Sequence, residues 1–154
     1  MRRMSESARS NSAAQSRFRV QAPNSAPREI LVVALDNSCA QLGPMLSGQS
    51  WRSATFLNFQ DFGASDDPGS AMSWHSFDLV VMVGSVGEDL ALAKAIGSKA
   101  LACGIKLSSL LLRGADTSEQ EVSAALLELR PWSRTLAVVD SADTLPATLH
   151  ALGA

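Results

Sequence analysis

Four polar side chains that could do chemistry follow one apolar run of the sequence. The run 30–35 is rich in β-branched residues, and it is followed by Asp36, Asn37, Ser38 and Cys39. A helix that begins here would present its positive end to these groups, and that end lowers the pKa of a thiol. The segment predicts a ligand-binding turn in which Cys39 is either a reactive thiol or a small buried side chain.

A second polar turn follows the apolar run 78–83. It contains Gly84, Ser85, Gly87 and Glu88. The two glycines would allow a phosphate to approach the backbone, but a helix predicted from Glu88 places two carboxylates in its first turn, which would repel that phosphate. Glu88 or Asp89 fits better as an acceptor for ribose hydroxyl groups.

Complete catalytic patterns are missing from both turns. A phosphatase needs an arginine six residues after its cysteine, and Met45 stands there. A hydrolase elbow needs a glycine at position 83, which is Val83. The histidines are His75 and His150, and no group has the spacing of metal ligands. The sequence therefore predicts no cofactor and no metal, and it favours a protein that is not an enzyme.

Alternating apolar runs and helical patterns predict one α/β domain over residues 29–154. Strands are expected at 30–35, 54–59, 78–83, 107–112 and 135–140, and helices at 39–47, 88–102, 118–129 and about 143–152. Ser118 and Glu121 form a capping-box pattern. We expect a three-layer, Rossmann-like or flavodoxin-like parallel sheet with helices on both faces and strand order 2-1-3-4-5.

This order places the two polar turns side by side. In open parallel sheets, ligands bind beyond the carboxyl ends of the strands where the strand order reverses. Strands one and three flank that point. The residues 36–39 and 84–88 are therefore the predicted ligand-binding face.

The order and length of these elements resemble the response-regulator receiver domain. The resemblance is architectural and covers about residues 29–152. Asp36 matches the end of strand one, where the receiver carries metal-binding acids, but its neighbours are Leu35 and Asn37. Gly84 and Ser85 stand where the phosphorylated aspartate would lie, and the lysine that ends strand five is replaced around Asp140. The resemblance implies a docking module without phosphorylation.

Aromatic side chains on connections indicate a surface for a protein partner. Trp74 and His75 lie in the long connection 60–76, and Trp132 follows Arg130 and Pro131. Tryptophan is favoured at binding hot spots. Leu127 is a further exposed apolar position suited to a dimer, so we expect a homo-oligomer or another protein partner.

Residues 1–28 differ in composition from the rest of the chain. They contain six arginines and one acidic residue, for a net charge of +5, whereas residues 29–154 carry −7. Few large apolar residues occur there, which predicts a disordered arm rich in Ser and Arg. Three readings remain open: a solvated tail, an organelle transit peptide, or a tether that contacts nucleic acid or an anionic protein.

The whole sequence excludes some classes and leaves two functions open. Two cysteines point to a reducing compartment, here the cytoplasm, and no apolar run is long enough for a membrane span. Nucleic acid is not expected as a partner except through the arm. The first hypothesis is a non-enzymatic interaction or regulatory module. The alternative is a protein, possibly an enzyme, that binds a nucleotide or small metabolite across strands one and three.

Overall fold

The computed structural model describes residues 28–62 and 72–154. The predicted arm, apart from Arg28, lies outside the described residues, and so does the centre of the connection 60–76. The strands are β1 (Ile30–Ala34), β2 (Ala54–Asn58), β3 (Leu79–Ser85), β4 (Lys106–Leu112) and β5 (Thr135–Val139).

All five strands form one parallel sheet in the order β2-β1-β3-β4-β5. The α/β fold class and the strand order are therefore confirmed. β1, β3 and β4 occupy the centre and are buried on both faces. β1 and most of β3 are continuously apolar, whereas β4 also buries Ser108 and Ser109. β2 and β5 form the two edges.

Helices cover both faces of the sheet. They are α1 (Asn37–Ala40), α2 (Gly43–Ser47), α3 (Leu92–Ala102), α4 (Glu119–Leu129) and α5 (Leu145–Leu152). α3 and α4 pack on one face, together with the 3-10 turns Phe59–Phe62 and Trp74–Ser76. α1, α2 and α5 pack on the other. The predicted three layers are present.

Two helices begin at other residues than the sequence predicts. The expected helix 39–47 is split in two, because Pro44 stands in the first turn of α2, where its missing N–H costs nothing. The expected helix from Glu88 begins instead at Leu92. Gly87 has a φ of +87°, which ends regular structure there and leaves 86–91 as a turn.

The described helices are short. The longest have 11 residues, and no helix in 28–62 or 72–154 is long and apolar enough to cross a membrane.

Candidate functional site

The structure brings the eight predicted ligand-binding residues together at the carboxyl ends of β1 and β3. β1 and β3 are neighbours in the sheet, so the turn 36–39 faces the turn 84–88. Hydrogen bonds join three residue pairs across the two turns: Ser85 donates to Asp36, Ser38 donates to Glu88, and the Cys39 thiol and the Ser85 hydroxyl share a third. The predicted meeting of these turns is correct.

Asp36 fastens the two turns to each other. Its Oδ1 accepts a hydrogen bond from the Cys39 N–H at 2.8 Å, which caps α1, and its Oδ2 accepts one from the Ser85 N–H at 2.6 Å. Only 4% of the residue is exposed. A buried carboxylate is costly unless it is hydrogen-bonded, and these two amides meet that requirement. Both carboxylate oxygens of Asp36 are thus occupied by hydrogen bonds from the backbone of this chain.

Cys39 is buried beside Asp36, and its Sγ lies 3.3 Å from the Ser85 Oγ. Burial, together with the nearby Asp36 carboxylate and against a lowering by the Ser85 hydroxyl, raises the pKa of its thiol to about 12. A helix of four residues does not overcome these effects. Of the two readings, the structure shows the small buried side chain, and the raised pKa disfavours a thiolate at neutral pH.

Gly84 allows close packing at this end of β3. A Cβ atom built on it would lie 2.6 Å from the Leu90 Cδ2 and 3.3 Å from the Leu35 Cδ1. Leu90 lies in the turn that precedes α3, and its side chain is buried. The glycine therefore serves packing, and no phosphate cradle follows from it.

Glu88 and Asp89 are exposed and lie before α3, not in its first turn. The Ser38 Oγ donates to the Glu88 Oε1 at 3.2 Å, and the Asp89 Oδ1 accepts from the Ala91 N–H at 2.9 Å. They are therefore not the first-turn carboxylates that the sequence predicts, although Asp89 still bonds the amide of Ala91, the N-cap residue of α3. Both carboxylates still oppose a phosphate.

An open cleft lies next to this polar cluster. It has a volume of about 310 Å³ and is lined by Leu35, Asp36, Asn37, Phe59, Glu88, Asp89 and Leu92. Sequence reasoning missed Phe59 and Leu92, because neither follows β1 or β3 directly. The apolar residues form walls and the exposed side chains of Asn37, Glu88 and Asp89 supply acceptors. Such a cleft suits a ligand with hydroxyl or amine donors.

A smaller cavity lies on the other side of β1. It measures about 140 Å³ and lies between the sheet and the pair α1–α2, with Cys39, Leu46, Phe56 and Leu145 among its lining residues.

Within 28–62 and 72–154, no three His, Cys, Asp or Glu side chains are placed to hold a metal ion.

The residues predicted to contact a partner have three different environments. Trp74 is only 3% exposed and packs against Phe62 in the core, so its predicted role at a surface is wrong. Its ring closes the core beneath the 3-10 turn. His75 is exposed, and Trp132 is half-buried.

Trp132 borders a groove at the opposite end of the sheet. The groove, here called the Trp132 groove, is lined by Gly97, Ala100, Leu101, Gly104, Ile105, Lys106, Leu107, Pro131, Trp132 and Arg134. Leu101 is 77% exposed there, and Leu127 on the neighbouring α4 is 66% exposed. The predicted exposure of Leu127 is confirmed. Sequence reasoning missed Leu101, although a leucine after the buried positions Ile96, Gly97 and Ala100 of α3 lies outside their stripe.

Trp132 is held firmly in this groove. A Cβ atom built on Gly97 would lie 2.6 Å from the Trp132 Cγ, so the indole rests directly on the backbone of α3.

Comparison of the chain with protein-family models, with curated proteins and with solved structures found no match.

Proposed function

We propose that this chain is a non-catalytic protein-interaction module with a regulatory role, and that it binds a partner protein through the Trp132 groove. The observation that carries the proposal is the pairing of Leu101, 77% exposed, with an ordered Trp132 in one groove. Large exposed apolar side chains beside a rigid aromatic ring are typical of binding hot spots.

The polar cluster at the other end of the sheet supports the non-catalytic part of the proposal. Asp36 accepts two backbone hydrogen bonds, and Cys39 is buried with a raised pKa. A catalytic acid, base or nucleophile needs a free proton or lone pair and a pKa near the working pH. The oxygens of the Asp36 carboxylate are occupied by two backbone amides, and the Cys39 thiol is not ionised near neutral pH.

The charge of the groove indicates the kind of partner. Its charged lining residues are Lys106 and Arg134, and both are exposed. Its floor is apolar. The groove therefore fits a segment that inserts a large apolar side chain and carries acidic residues beside it.

Site-specific photo-crosslinking in the source cells tests this proposal. A photoreactive residue at Lys106, which is exposed and lines the groove, is expected to give a discrete adduct that the additional change Leu101→Asp abolishes. Leu127→Asp is the matched control, since it makes the same change on α4 and Leu127 does not line the groove. No adduct, or equal loss with both variants, would contradict the proposal.

A second candidate is the binding of a nucleoside or another small metabolite in the cleft beside Glu88. The cleft volume of about 310 Å³ and the exposed acceptors Asn37, Glu88 and Asp89 favour it. Two carboxylates at its mouth favour hydroxyl and amine donors over phosphate groups.

Thermal-shift screening with nucleosides, sugars and polyamines tests this candidate. A true ligand should raise the Tm of the wild type but not of Glu88→Gln or Asn37→Ala, both at exposed positions. Asp36 and Gly84 are unsuitable probes because changes there would damage the fold. If no compound raises the Tm, the cleft is not a ligand site for these classes.

We propose the cytoplasm as the compartment. Cys39 and Cys103 are both free thiols in the structure, which fits a reducing environment. Fractionation of the source cells checks this, and recovery outside the cytoplasmic fraction would contradict it.

A further inference from the structure

The outer edge of β5 is open. β4 lies on one side of it, and no strand formed by residues 28–62 or 72–154 lies on the other. The Val139 carbonyl accepts a hydrogen bond from the Arg113 N–H at 2.9 Å, so the peptide groups of Val139 face β4. Because backbone direction alternates along a strand, the N–H and C=O groups of Leu136 and Val138 point to the open edge. The alternation does not extend to Arg134, which precedes the strand and donates its N–H to the Leu107 carbonyl of β4 at 2.8 Å.

The residues around this edge are arranged symmetrically about Ala137. Leu136 and Val138 stand one position before and after it and share one face of the sheet, with Val138 39% exposed. Arg134 and Asp140 stand three positions before and after it, and both are exposed. Neither side chain forms an ion pair within the described residues.

We propose that two copies of this chain associate through β5, antiparallel about a two-fold axis at Ala137, to form one continuous ten-stranded sheet. Leu136 then lies opposite Val138 of the second copy, and Arg134, which precedes the strand, comes near Asp140 of the second copy, which follows it. Each Leu136–Val138 pair exchanges two backbone hydrogen bonds, so the dimer gains four. It also gains two apolar and two oppositely charged cross-strand pairs.

Backbone direction and charge together select this register. Only outward-facing residues can exchange hydrogen bonds, so the nearest permitted alternatives are centred on Leu136 or Val138. The first would place Arg134 opposite Val138, and the second would place Asp140 opposite Leu136. Only the register centred on Ala137 joins the opposite charges.

A second copy is the occupant that this edge fits best, because the complementary charges belong to the same strand. Such an interface uses the same surface on both chains and closes at two subunits. The other open edge, β2, is flanked by Ser53 and Phe59 and has no charge at either end. An unprotected edge strand otherwise tends to aggregate, and pairing in a closed dimer removes that hazard.

This inference does not rest on the proposed function. Arg134 also lines the Trp132 groove, whereas Asp140 follows β5 at the opposite end of the sheet and does not. A charge reversal at Asp140 therefore tests the dimer without altering the groove.

Sedimentation velocity and native mass spectrometry of the full chain, over a range of concentrations, test the dimer. Arg134→Glu and Asp140→Arg are each expected to raise the dimer Kd by about tenfold or more, since each replaces two attractive pairs by two repulsive ones. The double variant Arg134→Glu/Asp140→Arg exchanges the charges and should restore the wild-type Kd.

Asp116→Arg is the matched control, because it reverses another exposed acidic residue away from β5 and should leave the Kd unchanged. Circular dichroism verifies that every variant is folded. A wild-type monomer at all concentrations overturns the inference. The inference is also overturned if the dimer tolerates both single charge reversals, or if the double variant stays dissociated. An open series of larger assemblies overturns it as well.

Discussion

At the scale of the residue, Asp36 stabilises the fold through both of its carboxylate oxygens. Asp36→Ala removes the acceptors of two buried backbone amides, at Cys39 and Ser85, and should lower the free energy of unfolding by about 3 kcal/mol. Urea unfolding measures the loss. Asp116→Ala, at an exposed position away from β5, should change stability by less than about 0.5 kcal/mol. Equal effects of the two changes would show that Asp36 is not structural.

Cys39 should react very slowly with alkylating agents. A thiol pKa near 12 in place of the ordinary 9.0 lowers the thiolate fraction at pH 8 by about a thousandfold. Iodoacetamide labelling followed by peptide mass spectrometry measures the rate in the native chain and in urea. A native rate close to the unfolded rate would refute the burial of the thiol.

The same thiol links stability to pH. The folded state raises the pKa of Cys39, so its neutral form is favoured, and this contribution is complete below pH 9.0 and is lost as the pH rises towards about 12. Cys39→Ala should weaken the fall in stability over that range. An unchanged alkaline profile in the variant would mean that the thiol ionises equally in both states.

At the scale of the element, α4 begins with a complete capping box. The Ser118 Oγ accepts from the Glu121 N–H at 3.2 Å, and the Glu121 Oε2 accepts from the Ser118 N–H at 2.8 Å, which lowers the pKa of Glu121. Ser118→Ala should cost about 1 kcal/mol of stability. It should also raise the pKa of Glu121, as measured by NMR titration, because the hydroxyl donor is lost. Ser123→Ala on the same helix should change neither quantity.

The contact between α3 and Trp132 depends on a glycine. Gly97→Val would place a Cβ atom within 2.6 Å of the Trp132 Cγ, so the ring must move, at a cost of about 1–3 kcal/mol. Gly43→Ala meets no atom within 4 Å and should leave stability equal or slightly higher. Urea unfolding and tryptophan fluorescence compare the two. An unchanged fluorescence spectrum for Gly97→Val would contradict this packing.

The elements show how far the sequence alone could lead. Continuous apolar runs such as 30–35 predict central strands. The observed strand order was favoured because a long connection without a strong helix joins strands two and three. The start of α3 could not be placed from helical spacing, because Gly87 adopts a left-handed conformation and Leu90 plugs the preceding turn.

The position of the candidate site was predictable from the sequence, but the hydrogen bonds and burial of its side chains were not. Fold topology alone brings Asp36 and Ser85 together, whereas the sequence contains no sign that their polar atoms satisfy one another. Burial of Trp74 likewise depends on Phe62 and the face of the sheet that it covers, and those contacts arise only in the folded chain.

At the scale of the whole molecule, charge is separated between the two ends of the sheet. Among the described residues, the carboxyl end of the sheet is mostly acidic, with Asp36, Asp61, Glu88, Asp89, Asp116, Glu119, Glu121, Asp140 and Asp143. Arg113 stands among them and is paired with Glu119 at 2.5 Å. The amino end carries Arg28, Arg52, Lys106, Arg130 and Arg134 alongside the acidic Glu29, Asp78 and Glu128, so basic residues outnumber acidic ones there by five to three. An anionic partner is therefore repelled from the acidic end and attracted to the other.

This distribution predicts that nucleic acid, if it binds, contacts the amino-terminal segment and not the acidic remainder of the chain. Residues 1–27 contain five arginines and one glutamate, while residues 28–154 have a net charge of −6. If the amino-terminal segment contacts phosphates through its arginines, the full chain should bind single-stranded nucleic acid with a log–log salt slope no steeper than about −4, from about −0.7 per phosphate contact. Fluorescence anisotropy over a salt series measures it.

Removal of residues 1–27 should abolish this binding, because the remaining charge repels phosphate groups overall. A variant with all five arginines of that segment replaced by glutamine keeps the length of the chain and isolates the effect of charge. If it still binds with the same slope, the contacts come from the basic amino end of the sheet, and Arg130 and Arg134 would be the next residues to neutralise. If the full chain does not bind at all, the arginines of the segment serve a protein partner or only solubility.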